Sequence, residues 1–302
     1  MSAAPAAIRP GSLDAWKLAI RPPTLTAAVA PVVVGTGLAI GKDVFAAGPA
    51  LAALIGAICL QIGANLANDL FDFERGADTH ARLGPPRAAQ MGLLSARELR
   101  LGTAVVFGIA MLAGLYLVYE AGWPIVAVGL ASIAGALIYT GGPWPAGYHA
   151  LGDLMTFVFF GVLAVVGTYY VQAGELSGGA LWASLPMGCT VTAILVVNNL
   201  RDIPTDRETG KVTLGVVMGD RATRWWYTLQ MAAPFVLAAA AWPFGFAGPW
   251  VLVSLGASPV AFKLVRGVLD GASGRGLNPF LKATARFDLL FGVLFALGLA
   301  LS

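Results

Sequence analysis

Residues 61–78 read QIGANLANDLFDFERGAD, beginning inside a long apolar run and ending in a charged loop. On a helix, Asn65, Asn68, Asp69 and Asp72 fall at i, i+3, i+4 and i+7, which is one face. Two carboxamides and two carboxylates are thereby stacked along a stripe at the mouth of a hydrophobic segment. Ionisable groups are costly in such a place, so their presence points to a function. Residues 198–211, NNLRDIPTDRETGK, repeat the idea with Asn198, Asn199, Asp202 and Asp206. Two acidic stripes at the ends of two apolar helices predict one bipartite metal site.

Composition sets the surroundings of these stripes. The 302 residues are 58% hydrophobic and 12% charged, with a mean hydropathy of +0.76. A soluble domain carries about 25% charged residues, roughly twice this load. Several runs approach the ~20 apolar residues that a spanning helix needs. The fold class expected is an all-α polytopic membrane protein. The net charge of +3 does not point to nucleic acid, because the basic residues sit in short loops between the apolar runs. Two cysteines in apolar runs and two histidines exclude a disulfide framework and argue against zinc or haem.

Residues 1–20 form a short amphipathic lead suited to the membrane interface, and they lack a signal-peptide pattern, so no cleaved leader is expected. Spans are expected at 22–40, 48–72, 98–119, 123–140, 151–172, 180–203, 221–243, 247–268 and 284–301, making about nine helices. With the N-terminus inside, 18 of the 19 basic residues fall on one side and Lys42 alone on the other. That asymmetry predicts cytoplasmic loops after spans two, six and eight, and a C-terminus outside. Both stripes then open on the cytoplasmic face, in what is expected to be a bacterial plasma membrane. The stripes end spans two and six, four helices apart. This suggests one transmembrane domain over 1–302 built from a weak repeat, helices 1–4 and 5–8, with a ninth added.

The chemistry follows from the residue types. Asp69, Asp72 and Asp78 on one segment would meet Asp202 and Asp206 on the other, with Gly76 allowing a sharp turn that brings Asp78 back. Carboxylates so crowded repel unless cations sit among them. Mg²⁺ suits them, since it takes oxygen ligands and bridges carboxylates to substrate phosphates. Asn65, Asn68 and Asn199 add neutral oxygens and hydrogen bonds. Arg75, Arg87, Arg201, Arg207 and Lys211 lie in the same two loops and suit phosphate oxygens. A site with Mg²⁺, arginine and a membrane-facing mouth fits a lipid diphosphate, whose ionisation needs its departing charge stabilised. The allylic cation left behind must be kept from water, and Tyr139, Tyr148, Phe157, Phe159, Phe160, Tyr169 and Tyr170 are available as walls.

Plainer readings stand beside these. An isolated acidic pair at a helix end is an ordinary solvated loop, but two matching stripes on one side of a membrane are not. The arginines are explained by topology alone, except those within the motifs. A cation transporter would place its acids near the bilayer midplane on broken helices. Here they cluster at helix ends beside arginines that would repel a permeating cation.

These residues resemble the UbiA-type intramembrane prenyltransferases. The NDxxD signature is matched by Asn68–Asp72 and the DxxxD signature by Asp202–Asp206. Within that family the chain is most similar to the branch that acts on 1,4-dihydroxy-2-naphthoate in menaquinone biosynthesis. The stretches carrying this are RPPTLTAAVAPVVVGTG, NLANDLFDFERGADT with GPPRAAQMG, YTGGPWPAGYHALGDLMTFVFFG and NNLRDIPTDRETGKVTLGVVMG. The resemblance implies helices around a central chamber, with Mg²⁺ held by Asp69, Asp72, Asp202 and Asp206. It implies a polyprenyl diphosphate donor, a dihydroxynaphthoate acceptor and loss of the acceptor's carboxylate. Arg21, in the RPPTL motif, is a candidate for the acceptor carboxylate or the diphosphate. Hydroxybenzoate enzymes of the family tend to carry a third Asp where Gly76 stands, and basic residues after the fourth helix, where residues 141–150 hold none. Both departures favour the naphthoate branch over a sibling that uses 4-hydroxybenzoate, homogentisate or another acceptor.

Overall fold

The computed structural model describes residues 8–76 and 83–302, so Asp78 lies outside the described residues. Helix α1 (Leu13–Ile20) starts at Ser12, whose hydroxyl accepts a hydrogen bond from the Ala15 N–H at 3.3 Å. Arg21, in the left-handed region at φ 55°, ends it. The chain then bends by 47° into α2 (Thr26–Gly41). Helices α3 (Ala47–Glu74) and α4 (Ala96–Ala121) follow. A reciprocal capping box between Ser95 and Glu98 opens α4, satisfying two orphan donors at once. Pro124 begins α5 (Pro124–Ile138), where its missing N–H costs nothing.

The fifth span is composite. It consists of α6 (Gly152–Thr156), π-helical turns over Phe157–Leu163, and α7 (Ala164–Ala173). Then come α8 (Gly178–Glu208), α9 (Leu214–Ala240), a 3-10 segment (Pro249–Ala257) running into α10 (Ser258–Leu269), and α11 (Asn278–Ala300).

Every one of the nine expected spans overlaps one of these helical units. By length and apolarity alone six of them, or seven if the bent α1–α2 pair counts as one, qualify as crossings among the described residues, so the count of nine is not confirmed on that ground. Helix α5 has only 15 residues, short of the ~20 a crossing needs. Helix α9 breaks at Gly219 (φ 77°, ψ 171°) and then carries Asp220, Arg221 and Arg224 in its next turns.

The packing is that of membrane helices. On α4, Leu101, Val105, Leu112 and Leu115 are more than half exposed and lie on one face, which suits lipid rather than water. Helix α2 approaches α11 so closely that a Cβ on Gly41 would stand 2.1 Å from the Leu299 carbonyl oxygen. Small residues permit such contact where no hydrophobic effect drives helices together. On α11, Phe287, Phe291 and Phe295 recur at i, i+4 and i+8, all fully buried. Phe235 of α9 meets Phe291 edge-on at 5.5 Å.

An apolar chamber of 330 Å³ is lined by α2, α3, α4, α5 and the fifth span. Beside it, a polar cavity of 230 Å³ lies among the ends of α3 and α8 and the loop after α5. Leu281 is the one residue that α9, α10 and α11 contribute to either lining among the described residues. Those three helices buttress α8 and α2 from behind.

Candidate active site

Helices α3 and α8, with 28 and 31 residues, are about 42 and 46 Å long at 1.5 Å per residue. Both exceed a hydrocarbon core of about 30 Å, and their C-terminal turns carry the acids. Asp72, Asp202 and Asp206 face the polar cavity, together with Asn68, Asn199 and Arg21. The two spaces adjoin, with Gln61, Asn68, Tyr139, Thr156 and Phe160 lining both. A polar head and an apolar tail would therefore be held end to end.

Asp72 is bound from two sides. Tyr148 donates its hydroxyl to Oδ1 at 2.8 Å, and Arg87 donates Nη2 to Oδ2 at 2.8 Å in a buried ion pair. Asp202 accepts two bonds from Arg201, from Nε at 2.7 Å and Nη2 at 2.5 Å. Asp206 accepts from the Thr213 hydroxyl at 3.4 Å and has Lys211 Nζ at 3.9 Å. Asn68 accepts from the Thr140 hydroxyl at 2.7 Å. Tyr139, directly after α5, is half-buried and lines both spaces.

Other expected site residues take different places. Asp69 does not line the polar cavity. Its carboxylate turns to the loop before α4 and accepts from the N–H groups of Ala88 and Ala89 at 3.1 and 3.4 Å. One residue on a helix is a rotation of about 100°, so Asp69 cannot share the direction of Asn68. Asn65 faces the apolar chamber and donates to the Ile20 carbonyl at 2.8 Å and the Thr24 hydroxyl at 3.0 Å, tying the α1–α2 bend to α3.

Arg201 is fully buried and is a structural hub instead of a phosphate grip. Besides Asp202 it donates to Asn198 Oδ1 at 2.8 Å and Asn278 Oδ1 at 2.9 Å, and Asn278 donates on to the Leu83 carbonyl. Four of its bonds are thus internal, leaving little for a substrate. Arg75 donates to the Gly142 carbonyl and lies over the Tyr148 ring, 5.5 Å from its centroid. Arg207 is exposed and lines neither cavity. Arg87 and Lys211 do line the polar cavity.

Some cavity residues were not singled out as site residues from the sequence. Gln61 was legible, since it continues the stripe one i−7 step before Asn68. Thr24 lies in the RPPTL segment, and Asn198 in the second stripe. Thr140 and the role of Tyr148 had no local signal, because the loop that holds them meets α3 only in three dimensions.

The donor set suits Mg²⁺. Carboxylate and amide oxygens surround the cavity, and neither His nor Cys lines it. No three acidic, His or Cys side chains close around a single point among the described residues. That fits an ion which takes one or two carboxylates, keeps several waters and completes its shell with substrate phosphates.

A sequence profile of the UbiA prenyltransferase family matches residues 28–300. The chain is 40% identical over 290 residues to the 1,4-dihydroxy-2-naphthoate octaprenyltransferase of Mycobacterium tuberculosis, covering 96% of this chain and 98% of the relative. It is 37% identical to the protein of the same name from Escherichia coli, covering 96% of each. Among solved structures it resembles a UbiA homolog from Archaeoglobus fulgidus bound to GPP and Mg²⁺, with a TM-score of 0.63 and 15% identity over 93% of this chain and 99% of that one. At that identity the likeness is one of fold.

Proposed function

The chain belongs to the UbiA prenyltransferase family, and on that premise we infer that it transfers a polyprenyl group from polyprenyl diphosphate to 1,4-dihydroxy-2-naphthoate. The observation that carries the reading is the adjacency of two spaces: a cavity faced by Asp72, Asp202 and Asp206 shares five lining residues with a 330 Å³ apolar chamber. The naphthoate assignment is supported by relatives that align over nearly their whole length.

We assign Asp72, Asp202 and Asp206, with Asn68 and Asn199, as the residues that would hold Mg²⁺, with one or two of the carboxylates to each ion. The bound ion supplies neutralisation of the leaving diphosphate. Lys211 and Arg87 add positive charge at the same wall of the cavity. Ionisation breaks the allylic C–O bond, and its electron pair leaves with the diphosphate. Tyr139 and Phe160, lining both spaces, present aromatic faces where the cation forms, and the apolar chamber keeps water away. Attack on the ring carbon that bears the carboxylate forms the new C–C bond. CO₂ then leaves, its bonding pair restoring the aromatic ring, so no proton need be removed. Arg21, on the cavity wall, is suited to hold the acceptor's carboxylate in line.

We also assign the N-terminus and both acidic loops to the cytoplasmic side of a bacterial plasma membrane, from the basic asymmetry. The test is turnover by purified protein with radiolabelled polyprenyl diphosphate, with and without Mg²⁺, offered dihydroxynaphthoate and 4-hydroxybenzoate in parallel. A decarboxylated naphthoquinol formed only with Mg²⁺ is expected. Transfer to hydroxybenzoate alone would keep the reaction class and overturn the acceptor.

A further inference from the structure

We propose that Tyr148 is a positioning residue with two separable tasks: its hydroxyl orients Asp72 toward the metal, and its ring seats Lys211 at the diphosphate. The proposal rests on the prenyl-diphosphate reading of the site.

The loop between α5 and α6 contains no Lys or Arg over residues 141–150, so any positive charge beneath it must come from elsewhere. The structure brings it from both acidic helices. Arg75, just past the end of α3, stands 5.5 Å from the Tyr148 ring centroid, and Lys211, just past α8, stands 5.3 Å from it. A tyrosine face attracts cations through its quadrupole, and the attraction strengthens where water is scarce. One ring thus gathers two cations whose backbones belong to opposite sides of the site.

The loop is pinned where this requires it. Val212 N–H donates to the Tyr148 carbonyl at 3.2 Å, and Ala150 N–H donates to the Val212 carbonyl at 2.7 Å. These bonds form an isolated parallel bridge between His149 and Val212. Arg75 holds the Gly142 carbonyl from the other side, and Trp144 stacks on His149 with centroids 4.1 Å apart. The end of α3, the loop, and the α8–α9 turn are therefore joined around a single side chain.

The hydroxyl does separate work. Asp72 Oδ1 accepts from Tyr148 and Oδ2 from Arg87, which fixes the plane of the carboxylate while each oxygen keeps a second lone pair for a ligand. Outer-shell partners of this kind orient metal ligands, and their loss typically weakens metal binding by about 10–100-fold. Ring and hydroxyl can be removed one at a time.

The experiment compares purified wild type with Tyr148→Phe, Tyr148→Leu and, as a control at an exposed position, Tyr119→Phe. Mn²⁺ binding is followed by electron paramagnetic resonance, and the KM for polyprenyl diphosphate is measured at saturating Mg²⁺. Tyr148→Phe is expected to weaken Mn²⁺ binding by about tenfold or more while leaving that KM close to wild type. Tyr148→Leu is expected to share the metal defect and in addition raise the KM by roughly tenfold. Lys211→Gln, with Tyr148 intact, is expected to raise the KM without weakening Mn²⁺ binding; it keeps the second task testable if the leucine variant does not fold. Wild-type Mn²⁺ affinity in Tyr148→Phe overturns the first task. An unchanged KM in Tyr148→Leu or Lys211→Gln overturns the second. A wild-type protein that neither binds Mn²⁺ nor turns over prenyl diphosphate overturns the reading of the site itself, a result distinct from a normal wild type beside unaltered variants.

Discussion

Asp69 and Asp72 are three residues apart on one helix, yet their carboxylates meet different partners. Asp72 faces the polar cavity between Tyr148 and Arg87, whereas Asp69 binds two backbone N–H groups of the following loop. Replacing Asp72, Asp202 or Asp206 by Asn keeps shape and removes charge. Each change is expected to lower kcat/KM by about 10²–10³-fold, in line with losing one element of transition-state charge stabilisation, and to weaken Mn²⁺ binding; at Asp72 and Asp202, which pair with the buried Arg87 and Arg201, the melting temperature falls as well. Asp69→Asn is expected to differ: it weakens a buried charge-assisted pair and costs about 1–3 kcal/mol of stability, read as a lower melting temperature, while Mn²⁺ binding persists. Lost Mn²⁺ binding at an unchanged melting temperature would make Asp69 a ligand after all. Gly84 offers a finer test, because a Cβ there would stand 2.7 Å from Arg201 Nη2. Gly84→Ala must displace the guanidinium that orients Asp202. Misplacement on this scale can cost up to about 100-fold in rate, and kcat/KM at saturating Mg²⁺ measures it.

Among the elements, the fifth span is where packing and function meet. Its π-helical turns, Phe157–Leu163, lie beside both cavities and carry Phe159 and Phe160 into the chamber wall. Such turns interrupt α-helices mostly at functional sites. They are held against α8 by a glycine-to-glycine contact: a Cβ on Gly161 would be 2.4 Å from the Gly188 Cα. Backbone cannot yield as a flexible side chain can, so Gly161→Ala is expected to push the span away from α8 and cost about 1–3 kcal/mol. Thermal unfolding in detergent reads the loss; an unchanged melting temperature would mean the two helices are free to separate there. The long α3 and α8 make a different contribution, since only helices that overrun the hydrocarbon can carry acids near water while lining a greasy chamber.

For the molecule as a whole, the arrangement is lopsided. Helices α2 to α5 and the fifth span wrap the chamber, while α9 to α11 brace α8 with fully buried phenylalanines on α11. This lets the ligand-facing helices be lined with small residues without leaving the assembly unsupported. The membrane orientation is testable at the same scale. In a background with Cys59 and Cys189 replaced by Ser, a cysteine at Lys42 or Ser302 should react with an impermeant maleimide added to intact cells. One at Ser273 should react only after the membrane is opened. The reverse pattern would invert the topology and move the acidic loops to the outer face.

The sequence by itself determined the membrane class, the helical segments, the two acidic stripes, and through them the reaction chemistry. These are local properties: apolar run length, helical periodicity and the sidedness of basic residues are all readable within a window of a few turns. It also carried the resemblance that the family match bears out. Tertiary structure decided which members of each motif face the polar cavity. The ion pair of Arg87 with Asp72 spans 15 residues, the Tyr148 bond to Asp72 spans 76, and the Asn278 bond to Leu83 spans 195. No periodicity encodes where those loops come to rest. A rotation of one residue sends Asp69 to a loop and leaves Asn68 at the cavity, and a neighbouring asparagine and aspartate draw Arg201 inward. The type of chemistry is written in residue identity, but its assignment to particular side chains depends on which distant backbone folds against each helix face.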